Sequence, residues 1–110
     1  MPAFLEEPQS VIVQENDTAS LVCKADGMPR PDVIWRRVDG DLHEERHFIL
    51  IDGSLMILHA VPSDHGTYVC KALNFVGEVE AEANLTVQGE PADTGIFVHW
   101  LLYLYLYLFV

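Results

Sequence analysis

Short apolar runs follow one another along most of the chain, and Gly, Pro, Asp and Asn separate them at intervals of roughly 8–12 residues. The clearest alternation is in residues 78–87, where four apolar residues occupy every second position: Ala81, Ala83, Leu85 and Val87. Successive side chains of a strand point to opposite faces, so these four share a buried face and the polar residues between them face water. No long segment shows the period of an amphipathic helix. The pattern predicts an all-β sandwich or barrel.

Seven strands and an extended lead-in follow from this pattern. The lead-in covers residues 4–7, and the strands cover residues 10–14, 18–24, 32–38, 48–51, 54–59, 67–73 and 78–87. Asp52-Gly53 predicts a tight hairpin and residues 74–77 predict a looser turn, because these residue types favour turn backbone angles. We predict one domain over residues 1–88, a linker over residues 89–95 and an apolar tail over residues 96–110.

Two cysteines and a tryptophan give this pattern a more specific meaning. Cys23 and Cys70 lie at inward positions in predicted strands, and Trp35 follows the first cysteine by twelve residues. In two facing sheets such positions bring the sulfurs together across the core, with the indole packed against them. A bond between them would close a 48-residue loop and stabilise the fold by roughly 4 kcal/mol in the chain-entropy model. Tyr68, two residues before Cys70, is placed as a tyrosine corner, and Leu55 joins the same core.

These residues together predict an immunoglobulin-like two-sheet sandwich with a C-terminal apolar tail. Residues 27–31 (GMPRP), before Trp35, and residues 72–77 (ALNFVG), after Cys70, resemble the I-set class of immunoglobulin domains. A closer similarity is to the third immunoglobulin domain of Roundabout-type axon-guidance receptors. The segments that carry it are residues 35–42 (WRRVDGDL), Arg46, residues 54–55 (SL) and residues 77–81 (GEVEA).

The resemblance covers about residues 4–88 and implies membership of a single-pass neuronal receptor. In that family the ligand Slit is engaged mainly by the first immunoglobulin domain, so a third domain would act as a spacer and as a receptor–receptor contact, including homophilic contact. The resemblance also implies that Arg46 pairs with Asp64 and braces one end of the sandwich. It implies an extracellular, non-catalytic domain of an adhesion or guidance receptor that contacts neighbouring protein domains and needs no cofactor.

Charge narrows the class of partner. The chain has 17 Asp and Glu against 6 Lys and Arg, for a net charge of −11, and every charged residue lies within residues 1–93. Such a surface repels polyanions, which bind to clusters of Lys and Arg. We therefore exclude nucleic acid as a partner and do not expect heparan sulfate to bind.

One motif matches the signature of zinc metalloproteases. Residues 43–47 match H-E-x-x-H, in which His43 and His47 would bind zinc from one helix face and Glu44 would act as the base. Here the motif runs directly into the apolar strand predicted at residues 48–51 and lacks a helical pattern. We interpret it as an exposed loop and assign no catalytic or metal-binding residue, with a zinc hydrolase as a remote alternative.

Two N-glycosylation sequons and the N-terminal sequence bear on whether the domain is extracellular or intracellular. Asn16-Asp17-Thr18 lies in a predicted turn and Asn84-Leu85-Thr86 on an outward strand face, so both are accessible and favour an extracellular protein. The first residues carry neither a basic nor a long apolar segment, so no signal peptide is visible. The alternative is an intracellular I-set domain of a cytoskeletal or muscle protein, with Cys23 and Cys70 reduced.

The tail at residues 96–110 has no charged residue and contains six of the eleven aromatic residues. As a helix it would be ~22 Å long, against ~30 Å of bilayer hydrocarbon. Its alternating Tyr and Leu residues equally suit an extended strand. Three interpretations stay open: a membrane segment or anchor signal, packing onto the domain, and a non-native end.

Overall fold

The structure, a computed structural model, describes residues 1–89 together with Leu106 and Leu108. Apart from these residues, the predicted linker and apolar tail lie outside the described part of the chain. Nine strands are present in residues 1–89: β1 (Ala3–Glu6), β2 (Val11–Gln14), β3 (Ala19–Leu21), β4 (Lys24–Asp26), β5 (Asp32–Arg37), β6 (His47–Ile49), β7 (Leu55–Ile57), β8 (Gly66–Asn74) and β9 (Gly77–Gln88). A single 3-10 turn, Pro62–Asp64, precedes β8.

The strands form two layers. One layer is a four-stranded sheet in the order β2-β9-β8-β5, in which β2 runs parallel to β9 and the other neighbours are antiparallel. The other layer consists of the three-stranded sheet β3-β7-β6 and the pair β1-β4. Because β3 and β4 are consecutive along the chain, they connect the two parts of this layer. The predicted all-β, immunoglobulin-like sandwich is therefore confirmed.

The strand predicted over residues 18–24 is in fact two short strands. β3 pairs with β7, whereas β4 pairs with β1, so the chain changes its partner between them. The break coincides with Cys23, whose backbone N–H donates to the hydroxyl of Ser54 at 3.3 Å. The lead-in predicted at residues 4–7 becomes the strand β1, because β4 provides a partner for it.

The strand predicted over residues 48–51 also differs from the structure. It begins one residue earlier, at His47, and ends at Ile49. Leu50 and Ile51 instead enter a turn, in which the Gly53 N–H donates to the Leu50 carbonyl at 2.9 Å. The turn that contains Asp52-Gly53 therefore begins at Leu50, earlier in the chain than predicted.

The core lies between the two layers and is formed by apolar side chains from both. The buried cluster contains Ala19, Leu21, Cys23, Trp35, Leu55, Ile57, Ala60, Tyr68, Cys70, Ala83, Leu85 and Val87. In β9 the alternation follows the sequence pattern, because Ala83, Leu85 and Val87 are buried while Glu80 and Glu82 are exposed. The opposite side of the four-stranded sheet, which we call the outer face, carries polar and charged residues together with the apolar Ile34 and Val69.

Candidate functional site

A disulfide joins the two layers at the centre of the core. The Sγ atoms of Cys23 and Cys70 are 1.95 Å apart, and neither residue is exposed. Trp35 is the register partner of Cys70 on the neighbouring strand β5. Its indole Nε1–H donates to the carbonyl of Gly53 at 2.8 Å, so the only polar atom of the ring is satisfied. The predicted disulfide is shown, with the indole anchored beside it.

Gly53 is fixed in place by this arrangement. Its backbone φ is +99°, a conformation that side-chain-bearing residues rarely adopt. A Cβ atom at this position would lie 2.6 Å from the backbone oxygen of Cys23. The Ser54 N–H donates to the Asp52 carboxylate at 2.9 Å, and hydrogen bonds from Ser54 lower the pKa of Asp52. This turn therefore supports the packing of Trp35 and Cys23 in the core.

Tyr68 forms the predicted corner at the start of β8. Its hydroxyl donates to the backbone carbonyl of Asp64 at 2.6 Å, and the residue is 1% exposed. Burial raises the pKa of Tyr68, because the ionised phenolate would lie away from water. The corner therefore fixes the 3-10 turn against the core.

The Asp64 carboxylate is the one charged group in the buried set of residues 1–89. The Arg46 guanidinium donates two hydrogen bonds of 2.9 Å to it, from Nη1 to Oδ2 and from Nη2 to Oδ1. The Val61 N–H donates to Oδ2 at 2.9 Å, and His43 Nε2 lies 3.7 Å from Oδ1. Arg46 Nη1 also donates to the Leu58 carbonyl at 3.0 Å. The ion pair therefore links the segment before β6 to the 3-10 turn before β8.

The charge state of this pair follows from its contacts. Burial on its own raises the pKa of Asp64, but the hydrogen bonds from Arg46 and Val61 and the positive charge of Arg46 outweigh it. The net result is a pKa below the ordinary value for an aspartate. The same hydrogen bond to Asp64 raises the pKa of Arg46. The carboxylate is therefore held ionised by groups that already occupy it, which leaves it unsuited to acid–base chemistry.

A family model described as "Immunoglobulin I-set domain" matches residues 2–87. This chain belongs to the immunoglobulin I-set family. Immunoglobulin domains are in general not enzymes, and they mediate protein–protein contacts. The disulfide, Trp35 and Tyr68 are buried in the core of this I-set domain and stabilise its fold. Its function must then be sought on the surface.

Several known proteins are similar to this I-set domain. Roundabout homolog 1, from Mus musculus and from Homo sapiens, is 42% identical over 90 residues, covering 82% of this chain and 6% of the relative. The peroxidasin homolog of Mus musculus is 37% identical over 98 residues, covering 88% of this chain and 6% of the relative. The crystal structure of the titin M10–obscurin like 1 Ig complex is 38% identical with a TM-score of 0.75, covering 82% of this chain and 96% of that chain. The chain thus spans about 6% of the length of both named relatives.

The H-E-x-x-H segment of this I-set domain is not helical. Residues 44–46 form a turn and His47 begins β6. His47 Nδ1 lies 2.6 Å from the backbone carbonyl of His43, while the imidazole of His43 points to Asp64. Two imidazoles on one helix face, which the zinc signature requires, are therefore not formed. Among the described residues, no group of three or more His, Cys, Asp or Glu side chains is arranged to hold a metal ion.

Both sequon asparagines lie on the surface of the I-set domain. Asn16 is exposed in the turn after β2 and has a positive φ of 75°. Asn84 is exposed on the outer face, and its side-chain oxygen accepts a hydrogen bond of 2.7 Å from the Thr67 hydroxyl. Each is accessible in the folded domain. Within the part of the chain that the structure describes, no helix has the length and apolar character that a membrane crossing requires.

One surface feature of the I-set domain, the exposed apolar segment 48–51, was not predicted from the sequence. The apolar run that predicted a strand at residues 48–51 is exposed along its whole length, and Ile51 is 96% exposed. β6 lies at the edge of its sheet with β7 on one side, so its outer edge faces away from the sandwich. An apolar run alone does not indicate burial, because an edge strand can present the same residues to solvent.

Proposed function

We propose that this chain is a non-catalytic protein–protein interaction and spacer domain of a cell-surface adhesion or axon-guidance receptor of the Roundabout kind. The observation that carries the proposal is the 42% identity to Roundabout homolog 1 across 90 residues. Since the chain spans 6% of that relative, ligand capture and signalling by the whole receptor are not assigned to it. What is assigned is a rigid module within an ectodomain.

The core chemistry supports an extracellular location. Disulfides persist in oxidising compartments and are rare in the cytosol, where thiols are kept reduced. Here the sulfurs of Cys23 and Cys70 are bonded, and neither residue is accessible to solvent. The accessible sequon residues Asn16 and Asn84 are consistent with the same compartment. No cofactor is part of the proposal.

The surface supports contact with other protein domains. The outer face of the four-stranded sheet combines charged side chains with exposed apolar ones, Ile34 and Val38. The edge strand β6 adds exposed apolar residues and a row of backbone groups that face away from its sheet. The excess of acidic residues favours basic or mixed-charge protein surfaces and opposes heparan sulfate and nucleic acids.

A second candidate is an intracellular I-set domain that acts as a mechanical spacer in a muscle or cytoskeletal protein. It is favoured by the similarity to the titin M10–obscurin like 1 Ig complex, which is 38% identical over 82% of this chain. In that case Cys23 and Cys70 would be reduced in the cell, and both asparagines would carry no glycan. The two candidates therefore differ in covalent state and not in fold.

The proposal is tested by the covalent state of the full chain when mammalian cells export it behind a secretory leader. We expect intact mass to rise by two hydrogen atoms on reduction, and a glycan that is removed by deglycosylation. The variants N16Q and N84Q assign that glycan to one asparagine or the other. A secreted product with free thiols at Cys23 and Cys70, and with no glycan on either asparagine, would contradict the receptor assignment.

A further inference from the structure

The edge strand β6 lacks the features that normally protect an exposed sheet edge, which are charged residues, prolines and bulges. β7 pairs with it in continuous register on one side, and no described strand lies on the other. Residues 47–51 include no Lys, Arg, Asp, Glu or Pro. We propose that this edge binds an extended segment of a partner protein, with an apolar middle and a basic residue at each end, which adds to the sheet as a further strand. This inference rests on the proposed function as a contact domain and names the kind of partner.

The backbone of Ile49 offers two hydrogen bonds to such a segment. In an antiparallel pair, residues bonded to the partner strand alternate with residues whose N–H and C=O point away from it. The Leu50 N–H donates to the Ser54 carbonyl at 2.8 Å, and the Leu58 N–H donates to the Arg46 carbonyl at 2.8 Å. Positions 46 and 50 are therefore bonded to the neighbouring chain, and Ile49, one position away, directs its N–H and C=O outward. An added strand can pair with both groups.

A groove beside Ile49 provides space for an apolar side chain of the added strand. It has a volume of about 300 Å³ and lies between the start of β5 and the turn after β6, with Val33, Ile49 and Leu50 in its lining. Because β5 and β6 are both edge strands, the groove lies where the two sheets are open on one side. No residue of the connection between these strands, residues 38–46, lines the groove. That connection therefore leaves the groove open to a partner.

Carboxylates lie at both ends of the uncharged segment 47–51. Glu44 and Glu45 precede the segment and Asp52 follows it, and all three residues are exposed. Within residues 1–89, none of the three forms an ion pair. The groove itself is lined by Asp32 and Asp52 against a single basic residue, Arg30. A basic residue at each end of the partner segment would therefore gain an opposite charge.

The same charges oppose a second copy of this chain as the occupant. Antiparallel pairing of two β6 strands centred on Ile49 would bring residues 44–45 of one copy towards Asp52 of the other. Like charges opposite each other destabilise a strand pair. The neighbouring edge strand β5 is less suited to an apolar segment, because it contains three charged residues and Arg37 already forms a bridge with Gly40. The observations therefore favour a basic and apolar segment from another protein, bound at β6.

Binding is tested by NMR on the isotope-labelled full chain, exported to a bacterial periplasm where the disulfide forms. The probe is a capped seven-residue peptide with lysine at both ends and alternating valine and threonine between them. We expect saturable binding with a Kd below about 1 mM, and slower hydrogen exchange of the Ile49 amide when the peptide is bound. The same peptide with glutamate at both ends should bind at least about tenfold more weakly, because its ends would face carboxylates.

Two substitutions locate the contact. I49P removes the outward N–H but no bond between β6 and β7, since proline is tolerated at such edge positions, and should weaken binding at least about fivefold. D52N keeps the oxygen that accepts the Ser54 N–H but removes the charge, and should weaken binding about twofold to fivefold. The matched control is E7Q, an exposed acid that follows β1 at the opposite edge of the same layer. E7Q should bind the peptide as the unmodified chain does.

Four results would overturn the proposal. The first is a lysine-ended peptide that does not bind at millimolar concentration, and the second is equal binding of the lysine-ended and glutamate-ended peptides. The third is protection from exchange on β5 in place of Ile49. The fourth is an Ile49 amide that is already protected without peptide, because the chain itself or a second copy would then occupy the edge. None of these results affects the receptor assignment, which depends on the disulfide and the glycan.

Discussion

At the scale of single residues, Asp64 is the one charged side chain among the buried residues of 1–89. A buried charge is costly unless its partners are close and well aligned. Arg46 provides two such bonds, and the backbone N–H of Val61 provides a third. The exposed pair Arg36–Glu80 has a similar distance, 3.1 Å, but both of its side chains are in contact with water. The two pairs should therefore respond very differently to neutralisation.

The substitution Asp64→Asn tests this difference. Removing the charge leaves the half-buried guanidinium of Arg46 without its counter-ion, so we expect the free energy of unfolding to fall by about 2–4 kcal/mol at neutral pH. The matched substitution Glu80→Gln should cost less than about 1 kcal/mol. Chemical denaturation of both variants gives the comparison. Equal losses for the two substitutions would show that burial of Asp64 does not matter.

Acid should destabilise the domain through the same carboxylate. A group whose pKa is lower in the folded than in the unfolded state contributes stability that is present above its unfolded pKa, which is ~3.9 for aspartate. That stability is lost as the pH falls through the lower, folded-state pKa of Asp64. Unfolding measured from pH 7 downward should show a decline beginning below about pH 5, with a shallower slope in D64N than in E80Q. Parallel slopes in the two variants would refute this assignment.

A methyl group added at Gly53 should destabilise the domain. Alanine there would have to adopt a φ of +99° and would bring its Cβ to 2.6 Å from the backbone oxygen of Cys23. We expect G53A to lose about 1–3 kcal/mol of unfolding free energy, measured by thermal or chemical denaturation. G89A, whose added Cβ would meet no atom of residues 1–88 within 4 Å, is the control. A G53A variant as stable as G89A would contradict the described turn.

At the scale of elements, the disulfide couples the segment between β3 and β4 to the middle of β8. Cys23 and Cys70 are 47 residues apart in the sequence, so the bond removes much of the freedom of the unfolded chain. Replacing both cysteines with alanine should lower the free energy of unfolding by about 2–5 kcal/mol while the strands still form. Circular dichroism together with denaturation would show both effects. An unchanged midpoint would mean that the bond adds no stability.

The elements differ in how far the sequence could predict them. Alternation in residues 78–87 predicted β9 well, because alternation is a local property of a strand. The break at Cys23 could not be predicted, because it depends on which strands lie beside β3 and β4. The parallel pairing of β2 with β9 likewise joins residues more than 70 positions apart, for example Val11 with Leu85.

Spacing along the sequence predicted the core residues of the candidate site but not the contacts made by its turns. Cys23, Cys70, Trp35 and Tyr68 follow from spacing, since the fold places these positions opposite one another. The contacts of Val61 and His43 with Asp64 are absent from any spacing rule, because they depend on how two turns approach each other. Exposure of the apolar run at residues 48–51 was missed for the same reason: it depends on β6 being an edge strand.

At the scale of the whole molecule, the domain combines a covalently closed core with a surface of uneven charge. The net charge of −11 disfavours polyanionic partners, and the I-set family supports contact between protein domains. The receptor and the muscle-protein assignments share this architecture. They differ in the compartment, and the compartment determines whether the core cysteines are oxidised.

The redox state of Cys23 and Cys70 in the cells that naturally produce the chain tests the extracellular assignment most directly. Acid quenching followed by alkylation under denaturing conditions, with and without prior reduction, counts the free thiols by mass. We predict no alkylation before reduction and two alkylated cysteines after it. Two alkylated cysteines before any reduction would place the domain in a reducing compartment and contradict the receptor assignment.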